Sequence, residues 1–199
     1  ETAMGPNPNS RYSGMPDDPK GEGFKAIKKA MDRIENASDM EAKLIHALHT
    51  LYDKDAYPDA KRRDQAYLAA MRKLNRDYPN DPDIAALYAS SYMSIQRWNY
   101  WGDQGEPISE TLAVAEALEH IMSKDLSHPG VLHLHIHLIE ASAEPERALV
   151  AADNLERTII KAPVDGFVKN LFFVTEGGVI SPGGVILDLV PSRDSLILE

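Results

Sequence analysis

Histidines are concentrated in one short stretch of the chain, and their spacing suits metal coordination. Four of the seven are His128, His133, His135 and His137, and Glu140 follows them. On a helix, His133, His137 and Glu140 fall at i, i+4 and i+7, so they project from one face. Two imidazoles and a carboxylate are ligands that zinc or another divalent ion accepts. The alternative is that these side chains line a groove or bond to neighbouring carbonyls.

Other features of the histidines point away from a metal. His46 and His49 lie three residues apart without an obvious third ligand. No glutamate directly follows His133, so the order of residues found in zinc proteases is absent. His135 is predicted to point to the other side of the helix and pack. We therefore expect no cofactor, and a divalent metal such as zinc at His133, His137 and Glu140 is the alternative.

A second group with recognisable chemistry is aromatic. A run of aromatic residues at 98–101 precedes a polar, glycine-containing loop at 102–105. Aromatic rings combine a large apolar area with a polar tip, which suits surfaces that recognise peptides. One interpretation places these rings at the mouth of a groove, and the other has them close the end of a helix pair. The predicted ligand-binding residues are Tyr88, Tyr92, Trp98, Tyr100 and Trp101.

Composition and missing motifs exclude several function classes. With 31 acidic and 21 basic residues and a net charge of −10, the chain is not expected to bind nucleic acid. It has no cysteine, which removes disulfides, thiolate metal sites and cysteine nucleophiles. No apolar run is long enough to predict a membrane span. No phosphate loop, dinucleotide-binding glycine motif or serine nucleophile elbow is present, so an enzyme is the less favoured class.

The elements that position these residues are predicted to be helices up to about residue 156. Ser38 and Glu41 match a capping box, in which both side chains satisfy backbone N–H groups at the start of a helix. Asp81 and Pro82 match an N-cap followed by a proline in the first turn. Further helices are predicted at about 59–78, 109–123, 130–141 and 145–156.

A spacing of 47 residues recurs within the helical part. Residues 70–82 align with 117–129, so that the prolines Pro82 and Pro129, which open helices, coincide. A helix, a short turn with proline and a second helix form the unit of an α-solenoid, in which each hairpin hides its apolar face against the next. The sequence therefore predicts stacked helical hairpins, with the extra length of the repeat in a loop at 97–107.

The helical part also resembles a known family. Residues 1–155 are similar to the middle of a bacterial family of tetratricopeptide-repeat proteins of unknown activity. The matching motifs are GPN at 5–7, YPNDP at 78–82, WNYW at 98–101, HPGVLH at 128–133, IHLIEAS at 136–142 and PERAL at 145–149. The resemblance implies an α-solenoid, and because family members extend beyond both ends of this stretch, it implies an incomplete array of repeats.

The composition changes near residue 156. The last 43 residues contain no Tyr, Trp, Met or His, but five of the 12 glycines and 19 Val, Ile, Leu or Phe residues. Short strands separated by turns with Gly and Pro are predicted at 167–174, 179–180 and 185–190. The predicted domains are therefore a helical repeat domain at 1–156 and a β-rich segment at 157–199.

The tail resembles a second family, the membrane-fusion (HlyD-like) adaptors of type I secretion. The matching motifs are LERTIIKAPVDG at 155–166, GGVISPG at 177–183 and VP at 190–191. The resemblance implies half of a lipoyl-like β-module, whose strand edges stay unpaired unless something completes it. The other half-module, helical hairpin and membrane anchor of that family find no match in this chain. Lys161 and Lys169 do not lie in a lipoyl-attachment setting, so the resemblance implies no lipoyl cofactor.

These observations predict a mainly α fold, an α-solenoid of tetratricopeptide-like helical hairpins with a short β-rich C-terminal tail. The favoured function is a non-catalytic scaffold that binds a peptide or protein partner on its concave face. One alternative is a metal-binding repeat protein, with or without hydrolytic activity, that uses His133, His137 and Glu140. The other is a periplasmic adaptor component of a type I secretion system. Exposed repeat ends and a split β-module favour an oligomer.

The origin and location of the chain stay open at this point. It begins at Glu1 without a leader of basic and then apolar residues, so we expect a processed protein or a fragment. The absence of cysteine fits a bacterial periplasm and a cytoplasm equally well. The two unlike segments are explained by a natural fusion, an engineered chimera or a composite sequence.

Overall fold

A computed structural model describes residues 21–157, 162, 164–172 and 185–192 of the chain. The chain divides into two compact units, Glu1–Thr158 and Ile159–Glu199. The described part is mainly helical and has a small two-stranded sheet in the second unit. The domain boundary predicted at 156/157 lies two residues before this division.

The first unit contains the α-helices. Their bounds are α1 (Glu22–Met31), α2 (Asp39–His49), α3 (Ala60–Asp77), α4 (Pro82–Gln96), α5 (Thr111–Met122), α6 (Pro129–Ile139) and α7 (Leu149–Arg157). Short 3-10 helices lie at Ile34–Asn36 and Pro145–Ala148. The predicted helix at 145–156 is thus a 3-10 turn followed by α7. None of the helices in the described residues is both long and apolar enough to cross a membrane.

Caps explain where three of the helices begin. The capping box of α2 is confirmed, because the Ser38 N–H donates to Glu41 Oε2 at 2.8 Å and Ser38 Oγ accepts from the Glu41 N–H at 3.3 Å. The N-cap of α4 is also confirmed, with Asp81 Oδ1 3.0 Å from the Ile84 nitrogen. At α6 the cap is a histidine, because Nδ1 of His128 accepts from the Val131 N–H at 3.1 Å. Histidine is not one of the residues preferred at an N-cap, so the sequence did not predict this third cap.

Helix α4 lies at the centre of the first unit. It packs on α3, α5 and α6, while α5 packs on α6 and α6 on α7. Because three neighbours surround α4, its buried residues are spread around its circumference. They are Ile84, Ala85, Tyr88, Ala89, Ser91, Tyr92 and Met93. The solenoid arrangement and the tetratricopeptide type of repeat stay predictions.

Polar contacts join the two segments that the 47-residue spacing predicted as repeats. Asn80, in the turn after α3, accepts at Oδ1 from Lys124 and lies 2.8 Å from His120 Nε2. Asp83, at the start of α4, lies 3.1 Å from His128 Nε2 at the start of α6. The turns that precede α4 and α6 are therefore neighbours in space.

The second unit contains an antiparallel pair of strands, β1 (Gly166–Leu171) and β2 (Leu187–Pro191). Gly166 pairs with Pro191 and Leu171 with Leu187, with an irregularity between Val168 and Asn170. The strand predicted at 179–180 lies outside the described residues. Large apolar side chains on and beside these strands are exposed. They are Val164, Phe167, Val168, Leu171, Phe172, Val185 and Val190.

Candidate functional site

Trp98 is presented to solvent by an unusual backbone at the end of α4. Arg97 caps the helix with φ 48°, and Trp98 follows with φ 70°, so two consecutive non-glycine residues lie in the left-handed region. For a bulky residue this conformation is an outlier that costs about 1–2 kcal/mol. The indole is 56% exposed. Backbone strain of this kind clusters at functional sites, which makes Trp98 a candidate recognition residue.

Trp98 adjoins the histidines of α6, and together they form one surface. The Trp98 and His137 rings are 5.3 Å apart and perpendicular, and the His133 and His137 rings are 4.6 Å apart and nearly so. His137 Nδ1 lies 3.1 Å from Oε1 of Glu140. We call Trp98, His133, His137 and Glu140 the Trp98 surface. The sequence predicted the indole and the histidine face separately, and the structure brings them together.

Electrostatics keep one imidazole of this surface neutral near pH 7. Partial burial lowers the pKa of His133, and the adjacent His137 lowers the pKa further by charge repulsion. Because the ordinary pKa of histidine is already about 6.5, His133 carries little charge at neutral pH. Glu140 places a carboxylate on the same surface, in contact with His137.

The loop that carries Trp98 is fastened to α6 and α5. The Trp101 indole N–H donates to the Leu138 carbonyl of α6 at 2.6 Å, and the Thr111 hydroxyl at the start of α5 donates to the Tyr100 carbonyl at 2.7 Å. Tyr100 is 2% exposed. Trp101, half-buried, thus fixes the loop on α6 near the Trp98 surface. These contacts agree with the alternative in which part of the aromatic run closes the end of a helix pair.

The tyrosines predicted to bind a ligand are core residues. Tyr88 and Tyr92 on α4 are buried, like Tyr100. Their hydroxyls bond inside the protein: Tyr88 to Glu110 Oε2 at 3.0 Å, and Tyr92 to the Ile108 carbonyl at 2.7 Å. Burial leaves these three rings no open face for a ligand. Ligand contact therefore stays a prediction for Trp98 and Trp101 of the predicted set.

Glu110 links three helices at its position before α5. Arg72 of α3 donates from Nε to Glu110 Oε2 at 2.6 Å and from Nη2 to Oε1, so the ion pair has two hydrogen bonds. Burial, followed by the negative charge of Glu110, raises the pKa of Tyr88 to about 12. The cluster fixes the start of α5 against α3 and α4.

His135 lies on the other side of α6 from the Trp98 surface, as predicted, and is 1% exposed. Its Nε2 is 3.1 Å from Glu119 Oε1 on α5, and the same oxygen accepts from Arg147 Nη2 at 2.5 Å. His135 Nδ1 is buried and has no hydrogen-bond partner among the described residues. Arg147 also pairs with Glu144 at 3.6 Å. This cluster is structural, because solvent does not reach the imidazole.

The metal prediction is not tested by these contacts. Among the described residues, no group of three or more His, Asp or Glu side chains is arranged to hold an ion. His133, His137 and Glu140 are adjacent, but His137 and Glu140 contact each other directly. A metal at these residues stays a prediction.

A cavity of about 860 Å³ lies between α1, the end of α2 and the start of α3. Phe24, Ile27, Met31 and Tyr52 give it apolar walls. Its volume falls in the range of small-molecule sites, and its charged lining residues are of both signs, such as Lys28, Asp53 and Arg63. Sequence patterns gave no signal for this cavity.

Two curated relatives share a short stretch with this chain. The alkaline protease secretion protein AprE of Pseudomonas aeruginosa is 47% identical over 45 residues. The proteases secretion protein PrtE of Dickeya chrysanthemi is 44% identical over 46 residues. Each match covers 23% of this chain and 10% of the relative, so the chain spans about a tenth of their length. These matches support the predicted resemblance to secretion adaptors.

The rest of the chain has no such support. A comparison with models of known protein families finds no match, and no solved structure matches. The tetratricopeptide resemblance therefore stays a prediction.

Sequence patterns did not identify the residues whose contacts connect distant parts of the chain. Glu110, Glu119 and Arg147 each have a polar contact with a partner that lies 16 or more residues away in sequence. No local spacing could have identified them.

Proposed function

We propose that this chain is a non-catalytic scaffold whose helical unit binds a segment of a protein partner at the Trp98 surface. The observation that carries this proposal is an indole that is 56% exposed in a left-handed backbone conformation. Burying an exposed Trp side chain against a partner contributes a large share of binding energy at many interfaces.

The frame around Trp98 supports this proposal. Trp101 fixes the loop to α6, and His137 packs edge-to-face with the Trp98 ring. A side chain that is ordered before binding loses less conformational entropy when a partner covers it. The surface is therefore suited to bind without a large rearrangement.

Trp98→Ala is expected to weaken binding of a peptide partner by about 2 kcal/mol, or roughly 30-fold. The reason is that truncation removes the exposed anchor while the core stays intact. Peptides would be selected against the full chain from a random display library, and their affinities for both proteins measured by calorimetry.

Phe24→Ala is the matched control, because Phe24 is also aromatic and 49% exposed but lines the α1–α2 cavity. It is expected to leave the affinity unchanged. Peptides that lose affinity with Phe24→Ala and keep it with Trp98→Ala, or a selection that yields no Trp98-dependent peptide, would contradict the proposal.

We propose as a second function that the C-terminal unit joins a protein-secretion assembly. The favouring observation is the identity of 47% and 44% with two proteins named for protease secretion. The exposed apolar side chains of β1 support this proposal, because Phe167 is 74% exposed and a two-stranded sheet is marginal by itself. A partner that covers this sheet would bury them.

A photo-crosslinking amino acid at position 167 tests the second function in intact bacteria. We expect it to capture a component of a secretion machine, identified by mass spectrometry, because Phe167 lies in the exposed strand β1. The same amino acid at position 24 of the helical unit is the control. Equal capture from both positions, or no secretion component from position 167, would speak against this function.

A further inference from the structure

We infer that the Trp98 surface takes a cationic side chain, an arginine or lysine of the partner, against the Trp98 indole and beside the Glu140 carboxylate. This inference rests on the proposed scaffold function and specifies the chemistry of its ligand. Tryptophan is the side chain whose ring face attracts cations most strongly.

The charge around the surface favours a cation. The chain has a net charge of −10, and the Glu140 side chain is 47% exposed. A carboxylate has about four acceptor positions, and the contact with His137 uses one of them. Glu140 can therefore accept hydrogen bonds from a guanidinium or ammonium group while it keeps His137 in place.

Several charged groups near α6 are paired with one another. Glu119, Glu144 and Arg147 interact with one another or with His135. Asp83 of α4 contacts His128. Glu140 is the acidic residue of the Trp98 surface itself, and its partner there is the imidazole of His137.

The carboxylate decides between a cationic and an anionic ligand. The Glu140 side chain is 47% exposed and contacts His137, which packs against the Trp98 ring. An anion at this surface would be repelled by the carboxylate, whereas a cation is attracted by both the indole and the carboxylate.

Two small probes that differ in charge test the inference. N-acetyl-arginine amide and N-acetyl-citrulline amide have nearly the same shape, but only the first is a cation. We would titrate the full chain with each at about pH 7.5 and follow the Trp98 indole N–H by NMR, assigned by its loss in Trp98→Ala. The arginine probe is expected to bind about tenfold more tightly than the citrulline probe.

A charge variant tests the contribution of the carboxylate. Glu140→Gln keeps the size of the side chain and is expected to weaken binding of the arginine probe several-fold, by roughly the amount of an exposed ion pair. Binding of the uncharged citrulline probe should be unchanged in this variant.

The outcomes distinguish this inference from the proposed function. Equal binding of the two probes, or an unchanged affinity in Glu140→Gln, would overturn the cationic ligand. Peptides that depend on Trp98 but are not enriched in arginine or lysine would also overturn it, while leaving the scaffold function in place. Failure to select any Trp98-dependent peptide would reject the scaffold function itself.

Discussion

Tyr92→Ala is expected to destabilise the helical unit by about 3–5 kcal/mol, the usual cost of deleting a buried aromatic ring. Tyr92 is 1% exposed on α4, so its removal leaves a cavity in the packing around this helix. Its hydroxyl also lies 2.7 Å from the Ile108 carbonyl and 2.7 Å from the Thr111 hydroxyl. Urea unfolding followed by circular dichroism would measure the change.

Tyr92→Phe separates the ring from the hydroxyl. It keeps the packing and removes only the hydrogen bonds, so it should cost about 1–2 kcal/mol. Peptide binding at the Trp98 surface should be unchanged in this variant. If Tyr92→Phe abolished binding without loss of stability, Tyr92 would be a ligand-contacting residue, and its assignment to the core would be wrong.

The second large effect is expected at the buried histidine. Glu119→Ala removes the acceptor for His135 Nε2, which then has no partner in a site that is 1% exposed. An unsatisfied buried polar group costs about 1–3 kcal/mol. Arg147 also loses its ion pair with the same Glu119 oxygen. Because the Arg147 side chain is 34% exposed, water replaces part of that interaction. We expect a total of about 2–3 kcal/mol in the free energy of unfolding.

His135→Leu is the partner variant in a double-mutant cycle. It removes the buried Nδ1 that lacks a hydrogen bond among the described residues, and it adds apolar packing. Its stability should therefore stay within about 1 kcal/mol of the wild type. In the His135→Leu background, Glu119→Ala should cost less than about 1 kcal/mol, because only a half-exposed ion pair remains. An equal cost in both backgrounds would show that the histidine contact contributes nothing.

Local signals in the sequence predicted the parts of the fold that depend on neighbouring residues. The capping box at Ser38 and the cap at Asp81 were found because their hydrogen bonds span only three residues. The helix predicted at about 59–78 is observed at Ala60–Asp77. Such features follow from backbone geometry, so they do not need knowledge of the tertiary structure.

The candidate site was harder to predict, because its residues meet only through packing. The aromatic spacing could not show that Tyr88 and Tyr92 face inward. Because α4 packs on three other helices, its buried residues do not follow the single apolar face that a sequence pattern reveals. Nor could it show that Trp98 alone of the predicted set would be largely exposed. The contact between Trp98 and His137 joins residues 39 positions apart. A single sequence carries no pattern for such a pair.

The left-handed backbone at Arg97 and Trp98 has a consequence for protein engineering. Glycine adopts this conformation without a steric penalty, so glycine at either position would relieve the backbone strain. A redesign that ranks residues by backbone geometry alone would therefore choose glycine there and discard the indole. At these two positions, relaxed backbone geometry and recognition are competing objectives.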